Sequence, residues 1–373
     1  MKINSGKYSK TSSKSGDNAA GVPMVRKLLR WYDKAGRSLP WRSETINPYH
    51  IWLSEIIMQQ TRIRQGVPYF AKLVQAFPTV RDLAEAEEGK VLRLWQGLGY
   101  YSRARNMLKC AKIIVNDFEG KFPDSYEKLI RLPGIGAYTA AAVASISFNE
   151  CRAVVDGNVY RVLSRIFGIR NDRFSGTGLK KFRQLAHELI PCSRPGDYNQ
   201  SMMELGALIC TPRNPRCPDC PVRDYCYAWR NDCQEHFPLK AKKSIVRERF
   251  FIYYVIHYKD SILMKRRTDN DIWKGLYDFF LIERNDLRDN KRTFLRRLGV
   301  SDNDGVYGIK SGVFRSNLSH QRILTRFIHY RAKKIHLPGE KLSQLGYAFY
   351  TRKEIEALPK PVLINNYLKD HIF

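Results

Sequence analysis

Two carboxylates sit in surroundings that change what a carboxylate can do. Glu55 lies inside Trp52-Leu53-Ser54-Glu55-Ile56-Ile57-Met58, a run with almost no other polar group. Burial there disfavours the charged form, so the pKa rises and the side chain can hold a proton near neutral pH. A Glu paired for structure, or turned to solvent, is the other reading of that position. Asp156 ends the apolar run Ala153-Val154-Val155 and precedes Gly157-Asn158-Val159-Tyr160-Arg161-Val162. It can cap the helix that begins there, a common task for Asp, or stand as an anion at a reaction centre. Together the two acids offer the pairing of a general acid with a stabilising anion.

A second group is built from thiols. Cys210-x6-Cys217-x2-Cys220-x5-Cys226 places four cysteines in one short stretch. Zinc usually takes two C-x2-C pairs joined by a longer spacer, and only one such pair is present. Two disulfides are a further possibility, and one tight loop around a larger object suits a [4Fe–4S] cluster. The loop Thr211-Pro212-Arg213-Asn214-Pro215-Arg216 adds two cations able to meet phosphates. Four scattered cysteines, Cys110, Cys151, Cys192 and Cys233, are expected as thiols in a reducing compartment.

These groups need elements to hold them. Leu132-Pro133-Gly134-Ile135-Gly136-Ala137-Tyr138 reads as a helix end, a glycine turn and the start of an Ala-rich helix. Gly134 and Gly136 permit positive φ and a close backbone approach to a ligand. Amides at the turn and the helix N-terminus form a corner for a phosphate, although an ordinary helix–turn–helix has the same pattern. Hydrophobic periodicity predicts helices over 23–37, 49–63, 66–76, 81–87, 88–95, 103–118, 125–131, 138–148, 158–168, 179–190 and 197–210. No strand pattern precedes residue 249. Beyond it, β-rich runs at 249–256 and 261–265 open an α+β unit. That unit continues with a strand after Phe279, a helix at 286–298, strands near 306–315 and 322–333, and helices near 352–357 and 362–371. Thr351 and Glu354 make a capping box.

The chain has 373 residues, enough for two domains, and its 64 Lys and Arg outnumber 36 Asp and Glu for a net charge of +28. A surplus of that size calls for a polyanionic partner, nucleic acid first. No apolar run reaches membrane-spanning length. Residues 1–22 have no apolar core, so they read as a disordered basic tail and not as a secretory signal. The expected location is cytoplasmic, at the nucleoid in a bacterium.

The glycine hairpin and the acid twenty residues after it resemble the helix-hairpin-helix glycosylases of the endonuclease III superfamily. The four-cysteine spacing matches the [4Fe–4S] cluster of that superfamily, so the resemblance spans residues 23–230. Bifunctional members carry a nucleophilic lysine in the hairpin, and here Tyr138 stands at that place, which implies base removal without strand cleavage. Leu39-Pro40-Trp41-Arg42, the run from Trp52 to Thr61, Gly97-Leu98-Gly99-Tyr100-Tyr101-Ser102-Arg103-Ala104-Arg105 and Tyr198-Asn199-Gln200 resemble the MutY-type adenine DNA glycosylases. The resemblance implies Glu55 as general acid and Asp156 facing the sugar, with Tyr138 and Asn158 supporting them. It implies DNA contacts from Trp41, Arg42, Gln60, Thr61, Leu98, Tyr100, Gly134, Gly136 and Gln200. The substrate it implies is adenine opposite 8-oxoguanine or guanine in duplex DNA, flipped out of the helix by a monomeric enzyme of base excision repair.

Residues 231–248 read as a basic connector that follows DNA, and 249–373 resemble the Nudix-like C-terminal domain of the same family. The glutamate-rich metal helix of Nudix hydrolases is missing from Asp286-Leu287-Arg288-Asp289-Asn290-Lys291, which leaves a binding role. The family's Phe-Ser-His segment falls on Leu318-Ser319-His320, a departure at the first residue, while Ser319 and His320 keep donors for a base edge. The expected fold is therefore multidomain: an all-α helix-hairpin-helix core with its cluster loop, joined to an α+β domain. Other mismatch glycosylases of the superfamily, thymine-directed ones included, and a non-catalytic DNA sensor are the competing functions.

Overall fold

The computed structural model describes residues 23–172, 175–239, 246–289, 291–299, 301–333 and 344–373. The basic tail 1–22 and the middle of the 231–248 connector lie outside the described residues. In chain order the helices are α1 (Pro23–Ala35), α2 (Pro48–Met58), α3 (Ile63–Ala76), α4 (Val80–Glu85), α5 (Glu88–Leu94), α6 (Ser102–Asp117), α7 (Tyr126–Leu129), α8 (Ala137–Phe148), α9 (Gly157–Phe167), α10 (Gly176–Leu189), α11 (Pro195–Leu208) and α12 (Tyr227–Arg230). Then follow β1 (Arg247–Tyr258), β2 (Ser261–Arg266), β3 (Tyr277–Asp278), β4 (Phe280–Arg284), α13 (Lys291–Leu298), β5 (Gly305–Lys310), β6 (Phe314–Asn317), β7 (Gln321–Ala332), β8 (Tyr347–Thr351), α14 (Arg352–Ala357) and α15 (Val362–His371).

Packing divides the chain into two units. The first joins residues through Val74 with Ile113–Lys242, and the second joins Gln75–Lys112 with Lys243–Phe373. Residues 75–112, read from the sequence with the helical core, thus group with the C-terminal sheet.

In the first unit, α9 and α11 pack around Val159, Val162, Leu163, Met202 and Leu205, with Leu28 of α1 and Phe182 of α10 closing the core. Pro48 starts α2, capped by Asn47, whose side chain accepts from Tyr49 N. The helix expected to reach residue 63 stops at Met58. Gln60 takes φ +58, a left-handed conformation that breaks the ladder, so Gln60 and Thr61 lie in a turn. Asp156 caps α9 by accepting from Val159 N at 2.7 Å.

The second unit is a mixed sheet. Central β1 pairs parallel with β7 and antiparallel with β2 and β4. Its near-continuous apolar run has a simple cause, since both faces are covered. Ile252, Tyr254 and Ile256 pack with Phe294 and Leu298 of α13. Phe251, Tyr253 and Val255 pack with Ile364, Tyr367 and Leu368 of α15. Three expectations need correction. The helix at 286–298 begins only at Lys291, because Arg288 N turns back to the Asp286 carboxylate. The strand at 306–315 is two strands, broken at Ser311–Val313, where Ser311 N reaches Phe327 O. The alternation in β8 was not foreseen. The Thr351–Glu354 capping box forms as expected.

Candidate active site and DNA interface

Glu55, Asp156, Tyr138 and Asn158 line one cleft of about 470 Å³ in the first unit, together with Trp41, Arg42, Thr61, Met203 and Glu204. α2 supplies Glu55, the first turn of α8 supplies Tyr138, and the start of α9 supplies Asp156 and Asn158. Burial pushes the Glu55 carboxyl up to about 7, and the nearby Asp156 charge adds to the shift, while a Tyr138 hydrogen bond and Arg42 oppose it. The Tyr138 hydroxyl also donates to the Met203 thioether at 3.3 Å, and burial holds its proton firmly on.

Asp156 is set differently. Its carboxylate accepts from Val159 N at 2.7 Å and from Asn158 Nδ2 at 2.9 Å. Burial raises its pKa, and those two donors with the Arg161 charge pull the other way. Asn158 is oriented in turn by Arg161 Nη2, which donates to its Oδ1 at 2.9 Å, and Arg161 Nε donates to Cys210 O at 2.8 Å. The carboxylate is thus tied through two side chains to the first residue of the cysteine loop. One acid is left short of compensation and can keep its proton up to near neutral pH, and the other is supplied with donors. The arrangement can protonate a leaving group and support a cation that forms as it departs.

The glycine turn uses positive φ at one of the two positions that permit it. Gly134 adopts φ +78, whereas Gly136 is the extended N-cap of α8 at φ −88. A Cβ on Gly136 would meet nothing within 4 Å, so open space in front of the helix N-terminus is what that glycine preserves.

Cys210, Cys217, Cys220 and Cys226 line a single cavity with Arg165 and Gln234. Among the described residues no group of three or more His, Cys, Asp or Glu side chains is drawn together tightly enough to hold a single metal ion. Arg165, 2% exposed, donates from Nη1 to the Cys210 sulfur at 3.3 Å and to Thr211 O at 2.7 Å. A buried cation aimed at a sulfur fits a cluster of thiolates. One expectation about the remaining cysteines fails: Cys151 and Cys192 are joined in a disulfide, because the turn before α11 comes beside the irregular segment leading to Asp156. Cys110 and Cys233 are free.

Comparison with known proteins agrees with this geometry. Residues 53–192 match the HhH-GPD superfamily base excision DNA repair protein model, and residues 210–226 match the iron–sulfur binding domain of endonuclease III. An adenine DNA glycosylase of Buchnera aphidicola from Schizaphis graminum is 39% identical over 253 residues, 68% of this chain and 73% of the relative. That of Buchnera aphidicola from Baizongia pistaciae is 33% identical and spans 90% of this chain and 93% of the relative. The chain belongs to the adenine DNA glycosylase family. The human member is 43% identical over 216 residues, 56% of this chain and 40% of the relative. Among solved structures, a thermostable thymine-DNA glycosylase superposes with a TM-score of 0.52 at 27% identity, over 57% of this chain and 98% of that one. The chain is a DNA glycosylase with a helix-hairpin-helix core, and its four loop cysteines are the ligands of an iron–sulfur cluster.

The second unit holds a cleft of about 500 Å³. Leu98, Tyr100, Trp273, Leu318, Ser319 and His320 line it together. The Tyr100 hydroxyl donates to Ser319 Oγ at 2.6 Å. Tyr100 at φ +47 and Trp273 at φ +61 are held in a conformation that non-glycine residues rarely adopt, as is Gln60. Leu98 is buried, whereas Tyr100 is 42% exposed.

Gln200 does not join either cleft. It is buried on α11, and its neighbour Asn199 has the structural task, accepting from Val154 N and donating to Arg152 O and Ser145 Oγ. Sequence reading missed Glu204, which is 1% exposed and accepts from Arg37 Nε and Arg42 Nη1, each at 2.8 Å. Its signal was available, since Glu204 is an acid within the apolar face of a helix, as Glu55 is. Trp41 is fixed edge-on against Phe70, with ring centroids 5.1 Å apart.

Proposed function

We propose that this protein is a monofunctional glycosylase that hydrolyses the N-glycosidic bond of adenine opposite 8-oxoguanine, or guanine, in duplex DNA. The observation that carries the reading is the Glu55–Asp156 pair, one acid raised to about 7 beside one held by two donors. Adenine is a poor leaving group until its ring nitrogen N7 is protonated, and Glu55 supplies that proton. As the bond breaks, Asp156 stabilises the oxocarbenium ion and can bond to it before water replaces it. Tyr138 orients Glu55 and Asn158 orients Asp156. Neither can form an imine, and no lysine lines the cleft.

The cluster, once bound, supplies no step of this reaction. Cys210, Cys217, Cys220 and Cys226 would hold it, and it orders the loop that carries Arg213 and Arg216 toward phosphates. The functional division we infer is a glycosylase domain over 23–230, a connector at 231–248 and a recognition domain over 249–373, acting as a monomer. Tyr100, Ser319 and His320 are the residues we assign to reading the base opposite the adenine. Trp41, Arg42, Gln60, Thr61, Gly134 and Gly136 are the other DNA contacts.

The test is a single-turnover assay on A:8-oxoguanine, A:G and T:G duplexes, with and without borohydride. Excision of adenine with alkali-labile products and no trapped imine is the expected result. Borohydride trapping by the unaltered protein would overturn the monofunctional assignment, and T:G activity above A:8-oxoguanine would overturn the substrate.

A further inference from the structure

The turn that carries Ser319 and His320 is wired to a buried network on its far side. Leu318 N donates to Gln321 O at 2.8 Å and Arg247 N to His320 O at 3.3 Å, so the turn is pinned at both ends. Gln321, 5% exposed, places its amide between His320 and Arg249. Arg249 Nη1 lies 3.4 Å from Gln321 Oε1, and Gln321 Nε2 lies 3.0 Å from His320 Nε2. Arg249 is itself fixed, because its guanidinium donates to both carboxylates of Asp271 and Glu283 at 2.7–2.8 Å.

The direction of each bond then follows from which atoms can donate. A guanidinium only donates, so the Gln321 atom facing Arg249 must be the amide oxygen. The amide NH2 is left facing His320 Nε2, which must therefore accept. A neutral imidazole that accepts at Nε2 carries its hydrogen on Nδ1. Nδ1 lies 3.3 Å from Ser319 Oγ, so the ring donates to that oxygen. The Tyr100 hydroxyl donates to the same oxygen. With both lone pairs occupied, Ser319 can engage a further group only through its own hydroxyl hydrogen.

We propose that Gln321, oriented by Arg249, is a positioning residue that fixes His320 as its Nδ1–H tautomer and so makes Ser319 an obligatory donor toward the base opposite the adenine. The inference rests on the reading of the second cleft given above and adds the chemistry of the atom recognised, a carbonyl-type acceptor. 8-Oxoguanine presents such an oxygen at C8, where guanine presents only a C–H. A donor held at that place favours the oxidised base. A serine free to rotate would not commit to either.

The test uses the full-length protein labelled with 15N-histidine at pH 8.5, where imidazole is ordinarily neutral. The His320 resonances are identified by their loss in His320→Asn. The expected result is an Nδ1–H tautomer in the unaltered protein, and loss of that tautomer in Gln321→Leu and in Gln321→Glu, which both remove the donor to Nε2. Single-turnover excision should then favour A:8-oxoguanine over A:G about tenfold less than before, the order expected for one base-edge hydrogen bond. Gln321→Asn, restoring an amide, should recover part of the ratio. An Nε2–H tautomer in the unaltered protein overturns the proposal without any variant having to fold. A ratio that falls in Ser319→Ala but not in the Gln321 variants overturns it while leaving the reading of the cleft intact. A ratio unmoved even by Ser319→Ala overturns that reading and this inference with it.

Discussion

Both units bury carboxylates, and Glu55 of the first is left without the ion pairs that Asp271 and Asp278 of the second receive. In the first, Glu55 sits among apolar α2 residues, and its opposing interactions fall short of the burial cost, so its pKa climbs to about 7. In the second, Asp271 is met by Arg249 at 2.7 Å and by Arg267 at 3.2 Å, and the Arg249 hydrogen bond holds its pKa below the usual carboxylate value. Asp278, with no exposure at all, is held by Arg267 and Tyr253, and burial still raises its pKa against those partners. Burial and a raised pKa by themselves therefore do not make a catalytic acid. What separates the two groups is the partner: Asp278 is locked in an ion pair with Arg267, and Glu55 lines an open cleft with no ion pair, where it can exchange a proton.

The sharpest way to break this contrast is at Asp156. Asp156→Asn keeps the α9 cap through its amide oxygen but removes the charge under the sugar. Excision should fall by roughly 10³-fold or more while duplex binding persists, since loss of a preorganised charge is felt mainly in the transition state. Single-turnover rates and a gel-shift titration separate the two, and retained excision would displace Asp156 from the reaction centre.

Glu55 comes next. Its acid role requires the protonated form, so the rate should be high below about 7 and decline as pH rises through that value. Glu55→Gln should lose about 10²-fold or more and flatten the alkaline limb. The same shift has a stability consequence. A carboxyl whose pKa is higher folded than unfolded stabilises the fold at low pH, and that contribution is lost as pH rises through the folded value. Glu55→Gln should consequently melt above the unaltered protein at pH 8 and close to it at pH 5.

The cysteine loop tests whether the first unit depends on a group from outside the chain. The purified protein should be brown and contain iron, and Cys217→Ser should lose iron and melt lower. Stoichiometric zinc in place of iron would refute the assignment.

Smaller effects belong to the second unit. Ser319→Ala combined with His320→Ala should reduce the preference for 8-oxoguanine over guanine by about 1–3 kcal/mol, measured as a ratio of single-turnover rates. Point variants are the right tool, because deleting 249–373 would also strip the packing partner of residues 75–112. Least of all should excision respond to Arg267→Met, although this variant strands the buried Asp278 carboxylate and should cost about 3–5 kcal/mol of stability. An unchanged melting temperature would show that Asp278 does not depend on its ion pair, and the contrast would collapse.

Local chemistry was legible from the chain. Helix after helix appears close to where periodicity placed it, since that signal depends only on neighbours three and four residues away. The cysteine spacing, the Asp156 cap and the Thr351–Glu354 box are likewise short-range. The rise in the Glu55 pKa was foreseeable because seven consecutive residues already define an apolar wall around it. Errors arose where a distant partner decides. Gln200 and Asn199 are adjacent in sequence, and only the segment before Asp156, brought against α11, makes one of them a buried hub. Cys151 and Cys192 meet because of the same approach. Glu204 reads as one more acid until Arg37 and Arg42 arrive from a segment more than 160 residues earlier. The grouping of 75–112 with the C-terminal sheet, and the Arg249–Gln321–His320 line that sets which atom of Ser319 donates, have no trace in any local pattern. Hydrogen-bond direction is a property of a whole connected network, so it exists only once tertiary packing has closed that network.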